Sequence, residues 1–247
     1  LGDVYKRQPD IHSDIRCSDN RYLYNIKVRY IHMKLMIASD IHGSAYYCRK
    51  MLDAYKREGA DRLLLLGDIL YHGPRNDLPK DYNPKEVIAM LNPMKQELLC
   101  VRGNCDTEVD QMVLEFPILS DYCVVADEER LIYATHGHHY NEENLPPLHK
   151  GDILLCGHTH VPKCTEHEDF IYMNPGSVSI PKEESWHGYM IYDRGRFVWK
   201  NLQGEEKMQY PKRTLGSRGR YNECGSDGQD IYGIKEKVRK HVRGIEK

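Results

Sequence analysis

The sequence predicts an α/β fold with an added antiparallel β half, and three observations carry that reading. Five short apolar runs recur between residues 34 and 156, each stopped by Gly, Asp or His. Two helix-forming stretches fall between the early runs. After Val161 the pattern changes to short β segments separated by tight turns.

The runs come in a fixed relation to polar motifs. KLMIA precedes SDIHG, RLLLL precedes GDILYHG, and ELLCV precedes RGNCD. RLIYA precedes THGHH, and DILLC precedes GHTH. Wholly apolar runs this short read as strands buried on both faces. A core helix needs roughly 10–12 residues, and these runs stop sooner. Helices are expected at Ala45–Glu58 and at Pro84–Leu91, with Pro in the first turn that tolerates it. In α/β sheets ligands gather beyond the carboxyl ends of the strands. Every polar motif sits at such an end, so five loops should converge on one rim. Later, Pro162–Glu168, Phe170–Met173, Val178–Ile180, Gly188–Tyr192 and Phe197–Lys200 read as β segments. They are expected to form a second sheet packed on the first. NPG at 174–176 suits a type II turn.

Composition bounds the rest. The 247 residues suffice for one good-sized domain, expected at 33–203. Residues 1–32 begin with Leu and show no clean period; they are set aside as a non-native or disordered extension, with Met33 as the start. Residues 204–247 read as a flexible tail, in which IKEKVRKHVRGIEK is a short basic helix or a solvated segment. The net charge of -2 gives no global basic field for nucleic acid. No apolar run approaches the roughly 20 residues of a membrane span, and 1–32 lacks the apolar centre of a signal peptide. None of the eight cysteines forms a C-x-x-C pair. Reduced thiols in a cytoplasmic protein follow.

Pooling the converging loops brings together Asp40, His42, Asp68, Asn104, His136, His158 and His160. Four imidazoles, two carboxylates and an amide oxygen suit borderline divalent metals, with Mn first and Fe, Zn or Ni as alternatives. Seven ligands exceed one tetrahedral ion and fit two ions if a carboxylate bridges. In an extended loop alternate side chains point the same way, so Asp-x-His and His-x-His each present a pair. Any one motif alone reads as an ordinary surface loop. Five strand ends that all carry ligand-type groups do not.

The blocks SDIHG, GDILYHG, RGNCD, THGHH and CGHTH, in that order, resemble those of the calcineurin-like metallophosphoesterases. The resemblance covers about 33–201. GNCD, the compact length and NPGSVSIP make the chain most similar to the small stand-alone bacterial and archaeal phosphodiesterases. The resemblance implies a four-layer α/β/β/α sandwich, with two mixed sheets flanked by helices. It also implies a division of ligands. Asp40, His42, Asp68 and His160 would take one ion. Asp68, Asn104, His136 and His158 would take the other, with Asp68 bridging.

Two ions roughly 3.5–4 Å apart lower the pKa of a shared water toward neutrality and offset charge at phosphorus. Two divalent ions, two carboxylates and one hydroxide sum to roughly +1, which suits a monoanionic phosphodiester. A monoester dianion would need Arg75 or Arg102 as well. The expected activity is therefore hydrolysis of a small phosphodiester, with Asp68, Asn104, His72 and His138 as the catalytic candidates. His72, Arg75, Asn76 and Cys105 are the substrate-contact candidates. Many members of the family carry His where Cys105 stands, and that His is thought to help the leaving group depart. A thiol replaces imidazolium poorly in that role. Asp106 is expected to brace its neighbours or cap the next helix, and Ser177 to lie near the rim. His139, His149, His167 and His187 read as surface or packing histidines. Rival readings are a phosphomonoesterase, a nuclease, or a non-catalytic interaction module like the related endosomal coat subunit, whose metal site is degraded. All seven ligand positions are intact here, which disfavours the module. Oligomeric state stays open, a homo-oligomer included.

Overall fold

The structure is a computed structural model, and it describes residues 33–127 and 130–211. The extension at 1–32 and the tail beyond Pro211, including the basic helix, lie outside the described residues. In chain order the elements are β1 Leu35–Ala38, α1 Ala45–Glu58, β2 Arg62–Leu65, α2 Pro84–Leu91, β3 Leu98–Cys100, α3 Glu108–Val113 and β4 Tyr122–Ala126. There follow β5 Leu131–Thr135, β6 Asp152–Leu155, β7 Lys163–Glu166, β8 Phe170–Asn174, β9 Gly188–Asp193, β10 Arg196–Asn201 and β11 Glu206–Tyr210.

All five apolar runs are strands, but they divide between two mixed sheets. One sheet has the order β11-β10-β9-β1-β2-β3 and the other β4-β5-β6-β8-β7. Within each, the early runs pair in parallel: β1 with β2, β2 with β3, and β5 with β6. The later β segments do not form a sheet of their own. β7 and β8 extend the second sheet, while β9 and β10 add antiparallel strands beside β1. The reason is burial. Every core strand needs both faces covered, and adding strands to both sheets widens the interface between them.

That interface holds Leu35, Ile37, Leu64, Leu66 and Val101 against Ile132, Ala134, Ile153, Leu155, Ile171 and Met173, with Trp199 and Phe197 filling one end. On the outer face of the first sheet, Met36, Ala38, Leu63 and Leu65 meet Cys48, Met51, Leu52, Tyr55, Val87 and Leu91 of the helices. The outer face of the second sheet carries Tyr133, Leu154, Phe170 and Tyr172 under Tyr140 and Leu148, both from the segment joining β5 to β6.

The helices start and stop for local reasons. In α1 the Ser44 hydroxyl accepts the Tyr47 N–H at 3.2 Å, and Gly59 takes the left-handed conformation at the other end. Its buried residues Ala45, Cys48, Met51, Leu52 and Tyr55 follow the helical period. Asn83 caps α2, with Pro84 in the first turn. α3 was not legible as a run because none of its residues is buried; Thr107 and Asp110 form its capping box. β4 was missed because its exposure alternates at an edge. β11 lies past the domain boundary expected at residue 203 and pairs with β10.

Val178–Ile180 is not a strand. The Ser177 hydroxyl accepts the N–H groups of Ser179 and Ile180, at 3.2 and 2.9 Å, which folds the segment into a turn. Val178 and Ser179 donate instead to the carbonyls of Ser39 and Asp40, at 2.9 and 3.3 Å.

Glu58 ties the end of α1 to the first sheet. Its carboxylate accepts from Tyr189 Oη at 2.8 Å and from Lys200 Nζ at 3.0 Å. Burial pushes its pKa up, but these two partners and Lys34 outweigh it and hold the carboxyl below its ordinary value. A depressed pKa contributes stability above the unfolded value of roughly 4.3 that is lost as pH falls through the folded value. Glu58→Gln should therefore cost about 1–2 kcal/mol in urea denaturation at pH 7. Most of that difference should vanish at pH 3; an equal penalty at both pH values would show that charge is not what holds the pair.

Candidate metal centre

The loops after β1 and β2 are zipped together beyond the strands. Asp40 N–H donates to Gly67 O at 3.1 Å, His42 N–H to Asp68 O at 2.9 Å, and Gly43 N–H to Ile69 O at 2.8 Å. This carries Asp40, His42 and Asp68 inward. All three have positive φ, at 59°, 49° and 56°, and so do His158 at 66° and His160 at 63°. Such conformations cost a non-glycine residue roughly 1–3 kcal/mol and persist only where the surroundings hold them. Five of the nine non-glycine residues with positive φ among the described residues are ones the sequence singled out as ligands.

The imidazoles are aimed by the backbone. Nδ1 of His42 donates to Tyr71 O at 2.7 Å, that of His136 to Leu66 O at 2.6 Å, and that of His160 to Ile180 O at 2.6 Å. A carbonyl can only accept, so each Nδ1 carries the proton. Each Nε2 is left facing inward as the atom that takes a proton or a cation. His42 and His160 bring their Nε2 atoms within 3.3 Å of each other. His160 Nε2 lies 3.3 Å from Asp40 Oδ1, and His42 Nε2 lies 3.6 Å from both Asp40 Oδ1 and Asp68 Oδ2. His136 Nε2 lies 3.5 Å from Asp68 Oδ2 and 3.0 Å from Asn104 Oδ1.

The two carboxylates are almost fully buried, and Asp40 Oδ1 has no hydrogen-bond partner. Burial opposes their charge, yet His160 and His42 hold Asp40 well below the usual carboxylate range, and His136 lowers Asp68. Burial likewise pushes His136 down, but Asp68 and Asp40 raise it to about 9. The centre thus attracts positive charge strongly. Ligand atoms of Asp40, His42 and His160 lie within 4.8 Å of one another, and so do those of Asp40, Asp68 and His136. This donor chemistry fits divalent cations. His158 stands beside them, its ring 5.1 Å from that of His136.

Asp106 braces the cluster from behind. It is 1% exposed and accepts the N–H groups of Asp68, Ile69 and Gly103 at 2.8, 2.9 and 2.7 Å. Burial raises its pKa to about 6. Of its two expected roles it fills the bracing one; Thr107 caps the helix. Cys105 donates its N–H to Asp68 Oδ1 at 2.8 Å, and its sulfur accepts Asn104 Nδ2 at 3.2 Å. Burial and the Asp68 charge push its thiol up to about 12. Gly103 is required by close approach: a Cβ there would meet Asp68 Oδ1 at 2.1 Å.

A cavity of about 430 Å³ opens over this cluster, lined by Asp68, Asn104, His158, His160, Arg75, Asn76, Cys105, Thr159 and Lys182. His72 and His138 do not line it. His72 packs its ring 5.2 Å from Tyr82, with Nδ1 buried and unpartnered. His138 lies 5.3 Å from the His136 ring, and burial together with the neighbouring imidazoles pushes it down to about 4. Arg102 is also outside the lining, reaching Glu108 at 3.4 Å. A larger hollow of about 860 Å³, lined by Cys164, Glu166 and β11, holds none of the ligand groups.

Sequence reasoning missed three contributors. Ser179 donates its hydroxyl to the Asp40 carbonyl at 2.9 Å, as does Ser177. Asn174 donates to Gly157 O at 2.7 Å and so supports the loop that bears His158 and His160. NPG reads as a turn and Val178–Ile180 as a β segment, and neither shows that the hydroxyls of Ser177 and Ser179 reach back to the carbonyl of residue 40. Lys182 had no signal at all.

The chain matches the calcineurin-like phosphoesterase superfamily domain over residues 33–195. It is 47% identical over 161 residues to phosphodiesterase YfcE of Escherichia coli K12, a match that spans 65% of this chain and 88% of that protein. It is 24% identical over 152 residues to phosphodiesterase MJ0936 of Methanocaldococcus jannaschii, spanning 58% and 83%. The solved structure of the E. coli phosphoesterase YfcE superposes with a TM-score of 0.70 at 43% identity, covering 72% of this chain and 98% of that one. The family match over 33–195, the 47% identity and the shared fold show that the chain belongs to the calcineurin-like phosphoesterase superfamily.

Proposed function

We propose that the chain is a cytoplasmic phosphodiesterase that works with two divalent ions, Mn foremost. The observation that carries this is the inward-facing set of Nε2 and carboxylate oxygens, fixed by backbone partners on the far side of each ring. A pair of bound ions would acidify a water for in-line attack at phosphorus and offset the charge that builds there. Asp40, His42 and His160 would hold one ion, and Asn104, His136 and His158 the other, with Asp68 between. The protein's own part is to keep these groups in place. Asp106 and the N–H of Cys105 fix both the backbone and the side chain of Asp68. The phosphodiesterase relatives support the substrate class. No described helix is long and apolar enough to cross a membrane.

In assays of bis(4-nitrophenyl) phosphate with Mn, Asp68→Ala and His158→Ala should each lower kcat at least about 100-fold, and metal analysis should show fewer than two ions per chain. Full activity in both variants would refute this cluster as the site of hydrolysis, whereas a wild type that binds metal but hydrolyses nothing across a broad panel of phosphoesters would favour the interaction-module reading.

Gly103→Ala should displace Asp68 and weaken metal affinity by roughly 10–100-fold. Circular dichroism should show the fold retained, and unchanged affinity would refute the bracing role.

Because a thiol stands at 105, where many members of the family carry an imidazole, diesters with acidic leaving groups should be favoured. Aryl diesters should turn over at least about tenfold faster than alkyl diesters; equal turnover would count against a missing proton donor.

A further inference from the structure

With two divalent ions held by the ligand cluster, the cavity over it would carry more positive charge than a plain diester can neutralise. Its lining includes two cationic side chains, Arg75 and Lys182, and a single carboxylate, Asp68. Its volume of about 430 Å³ leaves room for more than one phosphoryl group.

Both cations are exposed, and neither makes an ion pair or side-chain hydrogen bond among the described residues. Arg102, the other cation close to the ligands, is committed to Glu108 and to the Asp106 carbonyl.

The backbone at both cations is nevertheless built. Lys182 donates its N–H to the carbonyl of the ligand His160 at 3.2 Å, and its own carbonyl accepts from Ser185 at 3.0 Å. Arg75 sits in a turn closed by Asn76, whose Nδ2 donates to His72 O at 2.8 Å. Asp77, Glu183 and Glu184, their neighbours in the chain, are exposed and do not line the cavity.

Two divalent ions, two carboxylates and a hydroxide leave roughly +1, which a monoanionic diester cancels. Arg75 and Lys182 then add roughly +2 with no further carboxylate in the cavity lining to offset it, and like charges gathered at a cleft focus a field that draws anions.

We propose that the substrate is a phosphodiester bearing a second, phosphate-like anionic group, held by Arg75 and Lys182 while the scissile phosphorus sits over the ligand cluster. This rests on the phosphodiesterase reading above. Arg75 would grip the anion with two parallel N–H donors and Lys182 as a point charge.

The test compares thymidine 5′-(4-nitrophenyl phosphate) with the same compound carrying a 3′-phosphate, using the full chain with Mn. Released 4-nitrophenol reports diester cleavage alone in both. The expected result is a kcat/KM at least about tenfold higher for the 3′-phosphorylated compound, shrinking as salt screens the exposed cations. The ratio should fall toward one in the Lys182→Ala, Arg75→Ala double variant and be kept in Lys182→Arg. A wild-type ratio of one or less, or a ratio that survives in the double variant, overturns the proposal and leaves the phosphodiesterase reading standing. Faster hydrolysis of 4-nitrophenyl phosphate than of either diester assigns the two cations to a monoester dianion and also overturns it. If neither diester is cleaved, the phosphodiesterase reading falls and the proposal with it.

Discussion

Two buried carboxylates, Asp40 and Asp68, face a ring of imidazoles at the meeting point of the two sheets, and the architecture around them is arranged to keep that charge in place. Buried anions are costly unless they are paired. His42 shares a loop with Asp40, but His136 and His160 come from strand ends of the other sheet, so their share of the attraction can be realised only when both sheets have assembled. Electrostatics at the rim and apolar packing beneath it therefore depend on each other. The packing supplies the low-dielectric floor, and the charges decide which loops may sit on it.

The same constraint explains why strain gathers where it does. A side chain just past a strand normally continues the alternation of the pleat. To turn both Asp40 and His42 inward, the chain adopts positive φ at each, and it does so again at Asp68, His158 and His160. The serine turn at 177–179 offsets part of this cost by satisfying the Asp40 carbonyl, which a strained backbone would otherwise bury without a partner. Polar segments of low regularity thus do structural work that a strand could not do.

Much of this was legible in the sequence. The apolar runs identified the strands because residues buried on both faces leave no polar alternation to misread. The ligand pool was legible because each run stopped at the same kinds of residue. Three features were not. The division of the strands between two sheets has no local signature, since β3 and β5 look alike and differ only in their partners. The turn at Val178 resembles a strand in composition, and only the reach of Ser177 shows otherwise. Lys182 is visible only through its neighbours in space. What pattern reports is burial along one element; what it omits is pairing between elements.

The placement of β9 between β1 and β10 has a consequence for biosynthesis. β1 is made well before β9, and one of its edges stays open until the chain has been made as far as Tyr192. Until then, Leu35 to Ile37 present a row of backbone groups beside β2 without a strand partner on that side. A nascent chain in that condition is a target for wrong pairing and for holding chaperones. Closure of that edge is a late, long-range event of the kind that slows folding.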